Sequence, residues 1–95
     1  MADQLVKIFK ALSDETRLGI VRDLLTKGEH SCNSFVKELP KSQPTLSHHF
    51  NKLIDANIIK ARKEGVNYFY SINHDYLKDL GLDIQKTIKE AKNNG

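Results

Sequence analysis

The 95-residue chain has no tryptophan, one cysteine, one methionine and two prolines, and each scarcity removes a class of protein. A lone thiol, Cys32, forms no intrachain disulfide, so a disulfide-stapled small fold is excluded and a reducing, cytoplasmic setting is expected. No apolar run approaches the ~18 residues of a membrane span; stretches such as Asn57-Ile58-Ile59 break within a few residues. The first residues, Met1-Ala2-Asp3-Gln4, lack the basic region and apolar stretch of a secretory signal. Repeats, low-complexity tracts and linkers are also missing, so a single domain over residues 1–95 is expected. What remains is 39% hydrophobic and 28% charged, the balance of a globular domain and too apolar for a disordered one. A chain this short buries only about 60–65% of its unfolded surface. Dimerisation is the natural way to cover what is left.

The net charge of +3 is modest, but it is localised. Residues 41–72 hold five basic side chains (Lys41, Lys52, Lys60, Arg62, Lys63) against Asp55 and Glu64, while the rest of the chain balances to zero. A concentrated basic patch is the electrostatic footprint of a phosphate-binding surface.

Apolar spacing supplies the elements. Leu5, Ile8, Phe9 and Leu12 recur at helical intervals. Ser13-Asp14-Glu15 then offers an N-cap for a second helix to about Thr26, with Leu18, Val21, Leu24 and Leu25 inward and Gly28 as its stop. Gly19, costing about 1 kcal/mol against alanine inside a helix, points to close packing by another element there. Ser31 caps a short third helix carrying Phe35, Val36 and Leu39, which Pro40 ends. Ser42-Gln43-Pro44-Thr45 opens a fourth helix to about Ala56. Runs from Ile58 to Lys63 and from Tyr68 to Ile72, joined by Glu64-Gly65-Val66-Asn67, read as a β-hairpin. Asn73 or Asp75 caps a last helix carrying Tyr76, Leu77, Leu80, Ile84 and Ile88, with Gly81 weakening its middle. The expected fold is mainly α, an α+β winged helix-turn-helix of about five helices with a two-stranded hairpin wing.

Projecting residues 43–55 at ~100° per residue separates two faces. Leu46, Phe50, Leu53 and Ile54 cluster inward; Pro44, His48, Asn51, Lys52 and Asp55 fall opposite, with Thr45 and Ser47 at the flanks and His49 near the boundary. The free face is rich in short hydrogen-bonding groups, the residue types that read base edges in a major groove. The helix N-terminus near Ser42 to Thr45, next to Lys41, offers backbone N–H groups to a phosphate. On the hairpin, Arg62, Lys63 and Asn67 are placed to reach a DNA backbone or minor groove.

The run Lys10-Ala11-Leu12-Ser13-Asp14-Glu15-Thr16-Arg17-Leu18, followed by Ser42-Gln43-Pro44-Thr45-Leu46-Ser47-His48-His49-Phe50, resembles the ArsR/SmtB (arsenic-repressor type) transcriptional regulators. The hairpin Arg62-Lys63-Glu64-Gly65 with Tyr68-Phe69-Tyr70-Ser71-Ile72 is similar to that family's wing, and the resemblance spans nearly the whole chain from about Gln4. It implies a homodimeric repressor on an inverted-repeat operator, with many members released from DNA by an inducer. It also implies base or phosphate contacts by Ser42, Gln43, Thr45, Ser47 and His48, backbone contacts by the wing, and a supporting role for His49. Packing of the first and last helices makes Leu5, Ile8, Phe9, Leu77, Leu80, Ile84 and Ile88 the expected dimer interface.

The chain departs from the family at its metal sites. Where metal-sensing members carry Cys-x-Cys at the start of the third helix, this sequence has Ser31 and Asn33 around Cys32, without the paired thiolates that soft metals require. Where others use Asp and His on the last helix, Asp79 and Asp83 are present but no histidine follows His74. Neither His30 and Cys32 nor the diverging pair His48-His49 has zinc-ligand spacing. No metal or cofactor is therefore expected, and Cys32 is a candidate redox residue only. An enzyme would need a nucleophile or acid–base set in a pocket, for which Cys32 with His48 or His49 is a poor start. The competing use of such a fold is as a protein-docking module, which calls for apolar anchors that Pro44, His48, Asn51 and Lys52 do not supply.

Overall fold

Four helices and a small antiparallel sheet make up the computed structural model, which describes residues 2–31, 43–83 and 86, with only the backbone of Gln43. Helix α1 (Ala2–Leu12) leads through Ser13 to α2 (Glu15–Lys27). Asp14 is extended and its carboxylate accepts the Arg17 amide at 2.9 Å, satisfying one of the unpaired N–H groups at the start of α2. Gly28, at φ +80°, ends α2 and donates its N–H to the Leu24 carbonyl. A Cβ on Gly19 would meet nothing within 4 Å among the described residues. Helix α2 packs through Ile20, Val21 and Leu24, toward α1, the helix that begins at Gln43 and the sheet. Leu18 and Leu25 are only half-buried.

Two residues, His30–Ser31, form β1, a strand the hairpin reading did not include. Ser31 therefore stands in a strand; the third helix built on Phe35, Val36 and Leu39 lies outside the described residues, as do Cys32, Lys41 and Ser42. Helix α3 (Gln43–Asp55) follows, then β2 (Ile59–Glu64) and β3 (Asn67–Ile72). The sheet order is β1-β3-β2, all antiparallel, so β3 is central. Ser31 and Arg62 both sit opposite Phe69, and His30 and Ala61 both sit opposite Tyr70. Gly65, at φ +63°, occupies the first central position of the two-residue turn between Glu64 and Asn67, where glycine is strongly favoured.

The core is built from the four helices, β2, β3 and the segment before β2: Ile8, Ile20, Val21, Leu46, Phe50, Leu53, Ile58, Ile59, Ile72 and Leu77, among others, are essentially inaccessible. Two of these, Ile8 and Leu77, were expected at a dimer interface. Their full burial within the subunit removes them from it, because the helical stripe on which they lie is spent on the core. Exposed instead on α1 are Val6 (51%) and Phe9 (58%), with Leu5 half-buried beside them.

The last helix is shorter than its apolar spacing suggests. Helix α4 (His74–Asp79) stops at Leu80, and Gly81 takes φ +79°. Asp83 then accepts the Lys86 amide at 3.0 Å, the i to i+3 bond of a new helix cap. Leu80 is half-buried; Ile84 and Ile88 lie outside the described residues.

Candidate nucleic-acid interface

Helix α3 is held by its apolar stripe. Leu46, Phe50 and Leu53 are buried and Ile54 half-buried, as the helical projection places them. The Phe50 ring stacks on Tyr70 of the central strand at 4.3 Å between centroids and 8° between planes. Pro44, Thr45, Ser47, His48, Asn51, Lys52 and Asp55 are all exposed on the outward side. No acidic residue occupies the first turn, so the positive end of the helix dipole is not neutralised from within the helix.

His49 sits at the boundary, with a side chain only 13% exposed. Arg17 donates through Nε to the Ala11 carbonyl at 2.6 Å and lies with one Nη 3.3 Å from His49 Nδ1. A guanidinium can only donate, so Nδ1 accepts and a neutral ring carries its proton on Nε2. Asp14 Oδ1 is 3.9 Å from the same Nδ1. The end of α1, the start of α2 and the middle of α3 thus meet at one polar joint. His49 therefore packs into this joint, away from the exposed face of α3.

The wing emerges from the core at the Ile59–Ile72 pair and is exposed toward its tip. Alternation along the strands sends its two neighbouring cations to opposite faces. Lys63 lies over Tyr68, 5.7 Å from the ring centroid. Both share the face that carries Tyr70, the face on which α3 packs. Arg62 lies on the other face, 4.9 Å from the Phe69 centroid, and is engaged by two carboxylates. It donates to Glu29 through Nη2 at 2.6 Å and Nε at 3.2 Å, and to Glu64 through Nη1. These bonds hold the Glu29 carboxyl below its ordinary pKa and raise that of Arg62. Sequence reasoning placed Arg62 beside Lys63 as a DNA contact; it had no signal for Glu29, which is 33 residues away in the chain.

Helix α3 presents an exposed polar face, and the hairpin an exposed tip. A family model described as a helix-turn-helix domain matches residues 12–62. An arsenical resistance operon repressor of Staphylococcus xylosus is 41% identical over 86 residues, 88% of this chain and 82% of that protein. This chain belongs to the ArsR/SmtB family of winged helix-turn-helix transcriptional regulators. An uncharacterised HTH-type transcriptional regulator of Methanocaldococcus jannaschii is 45% identical over 78 residues, 82% of this chain and 88% of that one. Among solved structures, the homodimeric winged helix-turn-helix DNA-binding domain from Mycobacterium bovis superposes with a TM-score of 0.77 at 25% identity. That match covers 97% of this chain and 81% of the other.

Ser31, at the first position of the Cys-x-Cys pair, lies in β1 opposite Phe69 and carries a hydroxyl where a soft metal needs thiolate. Among the described residues no three His, Cys, Asp or Glu side chains come together as a metal cluster, and no helix is long and apolar enough to cross a membrane.

The polar joint yields a pH prediction. The Arg17 amide bond, together with the Arg17 charge, lowers the Asp14 pKa below its ordinary value. A carboxylate with a depressed folded-state pKa contributes stability that is present above its unfolded value and lost as pH falls through the folded one. Asp14→Ala should therefore cost about 1 kcal/mol at pH 7 through loss of the cap. In denaturant titrations the gap to wild type should shrink once pH falls below about 4; a gap that stays constant to pH 2.5 would contradict the assignment.

Proposed function

We propose that the protein is a homodimeric, sequence-specific repressor that reads an inverted-repeat operator, with α3 of each subunit in a major groove. The observation that carries this reading is the exposed face of α3. Thr45, Ser47, His48 and Asn51 form a stripe of short donors and acceptors beside Lys52, with no carboxylate before Asp55. Such groups lie flat against base edges and discriminate them by hydrogen-bond pattern. Gln43, Ser42 and Lys41, at or before the start of α3, are proposed to bind phosphate or an outer base edge, with Asn67 at the wing turn adding a backbone contact.

Dimerisation is proposed through α1, where Val6 and Phe9 leave apolar surface in water on a chain with little core to spare. Leu5 is half-buried beside them, and Leu80, Ile84 and Ile88 are proposed to extend that surface. The homodimeric state of the Mycobacterium bovis domain supports a dimer. Two-fold symmetry then sets half-sites one turn of duplex apart, about 34 Å. Release from DNA is proposed to use neither of the family's familiar metal sites, since Ser31 and the histidine-free stretch after His74 cannot supply their ligands. One domain spanning residues 1–95, located in the cytoplasm, suffices for this activity; Cys32 is its one candidate redox group.

Selection from random duplexes, followed by fluorescence anisotropy, tests the reading. A palindromic consensus is expected, bound at least 10³-fold more tightly than a scrambled duplex, the lower end for specific binders. Ser47→Ala with His48→Ala should reduce that ratio by about tenfold or more, at roughly 1–3 kcal/mol for each good base contact. Unchanged discrimination would remove α3 from base reading, and the absence of any consensus would favour a protein-docking role. Phe9→Asp should convert the dimer to monomer by light scattering and weaken operator binding; a dimer that persists would place the interface elsewhere. Zn²⁺ or arsenite should leave operator affinity unchanged, and release by either ion would overturn the proposal of a metal-independent repressor.

A further inference from the structure

The Arg62 side chain crosses the whole sheet. It starts on β2, passes over Phe69 of the central strand and ends on Glu29, the residue before β1, while Glu64 holds its third nitrogen. Two strand spacings are about 10 Å, within reach only of a long side chain. The bonds use Nε and both terminal nitrogens, leaving the guanidinium fork occupied by protein carboxylates. The element it fastens is otherwise weakly held. Strand β1 has two residues, and β2 beyond Ile59 is exposed along its length.

Lys63, one residue on, contrasts at every point. It shares a face with Tyr68 and Tyr70, and so with α3, and no hydrogen bond or ion pair to it is seen among the described residues. Duplex laid against the outward side of α3 meets the wing from that face, whereas Arg62 and its two carboxylates lie on the reverse. A phosphate approaching Arg62 would also have to approach Glu29 and Glu64, which repel it.

We propose that Arg62 is a positioning residue that braces the wing against the α2–β1 corner, and that Lys63 is the wing's contact to DNA phosphate. This assignment rests on the DNA-binding reading, and its test separates the two. Anisotropy with the selected duplex over a salt series first establishes wild-type affinity and slope; a wild type that binds no duplex would overturn the underlying reading and this assignment with it. With wild-type binding in hand, Glu29→Gln decides between brace and contact by sign. If Arg62 is a brace, loosening it should weaken operator binding about two- to fivefold with the salt slope unchanged, the scale of an exposed ion pair. If Arg62 instead binds phosphate, freeing it from Glu29 should tighten binding and steepen the slope, which would overturn the proposal.

The charge swap Glu29→Arg with Arg62→Glu supplies the second arm. It rebuilds one cation between two carboxylates, so affinity should recover relative to Arg62→Glu alone; a swap no better than the single variant would contradict the brace. Lys63→Gln should lower the salt slope by about one, the signature of one lost phosphate contact. An undiminished slope would overturn the role given to Lys63. Circular dichroism and thermal midpoints on each variant separate these outcomes from loss of fold.

Discussion

The stacked pair of Phe50 and Tyr70 is the contact on which the arrangement turns. Phe50 is the inward anchor of the reading helix, and Tyr70 lies on the central strand, paired with β1 on one side and β2 on the other. One ring-on-ring contact therefore fixes the helix relative to the body of the sheet and to the wing together. An aromatic pair is worth about 0.5–1.5 kcal/mol beyond the area it buries, a sizeable share of the few kcal/mol that separate a small domain from its unfolded state. Its function is geometric as well as energetic. The near-parallel rings permit one orientation of α3, and with it one outward face.

Charges divide along the same lines. Three carboxylates, Asp14, Glu29 and Glu64, are spent inside the subunit, on a helix cap and on Arg62. The first turn of α3 itself carries no acidic residue. The groups left facing outward are short and polar, with Lys52 and Lys63 as the basic members. On the proposed reading, affinity from phosphate contacts and discrimination from base edges come from different residues, a division that lets each be tuned alone. The modest net charge of +3 is consistent with a binder that depends on geometry more than on a broad basic field.

Much of this was legible in the residues because local and global signals agreed. The outward face of α3 follows from the spacing of Leu46, Phe50 and Leu53 alone, and the boundary position of His49 follows with it. The start of α2 was visible in the run Ser13-Asp14-Glu15, with Asp14 rather than Ser13 serving as the cap, and its end in Gly28. What could not be read depended on long-range pairing or on competition between partners. Ile8 and Leu77 look like any apolar helical residues, and nothing local says whether a stripe serves the core or a second subunit. Strand β1 is too short to show a period. Gly81 weakens the apolar spacing of the last helix, and it takes a positive φ just past the end of α4. The pairing of Arg62 with Glu29 required the sheet order to be known.

The central claim is that the outward face of α3, set by Phe50 on Tyr70, is the surface that meets DNA. Residue-resolved NMR during titration with the selected duplex tests it most directly. The account predicts that the largest shifts fall on Thr45, Ser47, His48, Asn51 and Lys52, with Lys63 and Tyr68 following on the wing. Shifts centred on α1 or on the reverse face of the sheet, with α3 unmoved, would contradict it.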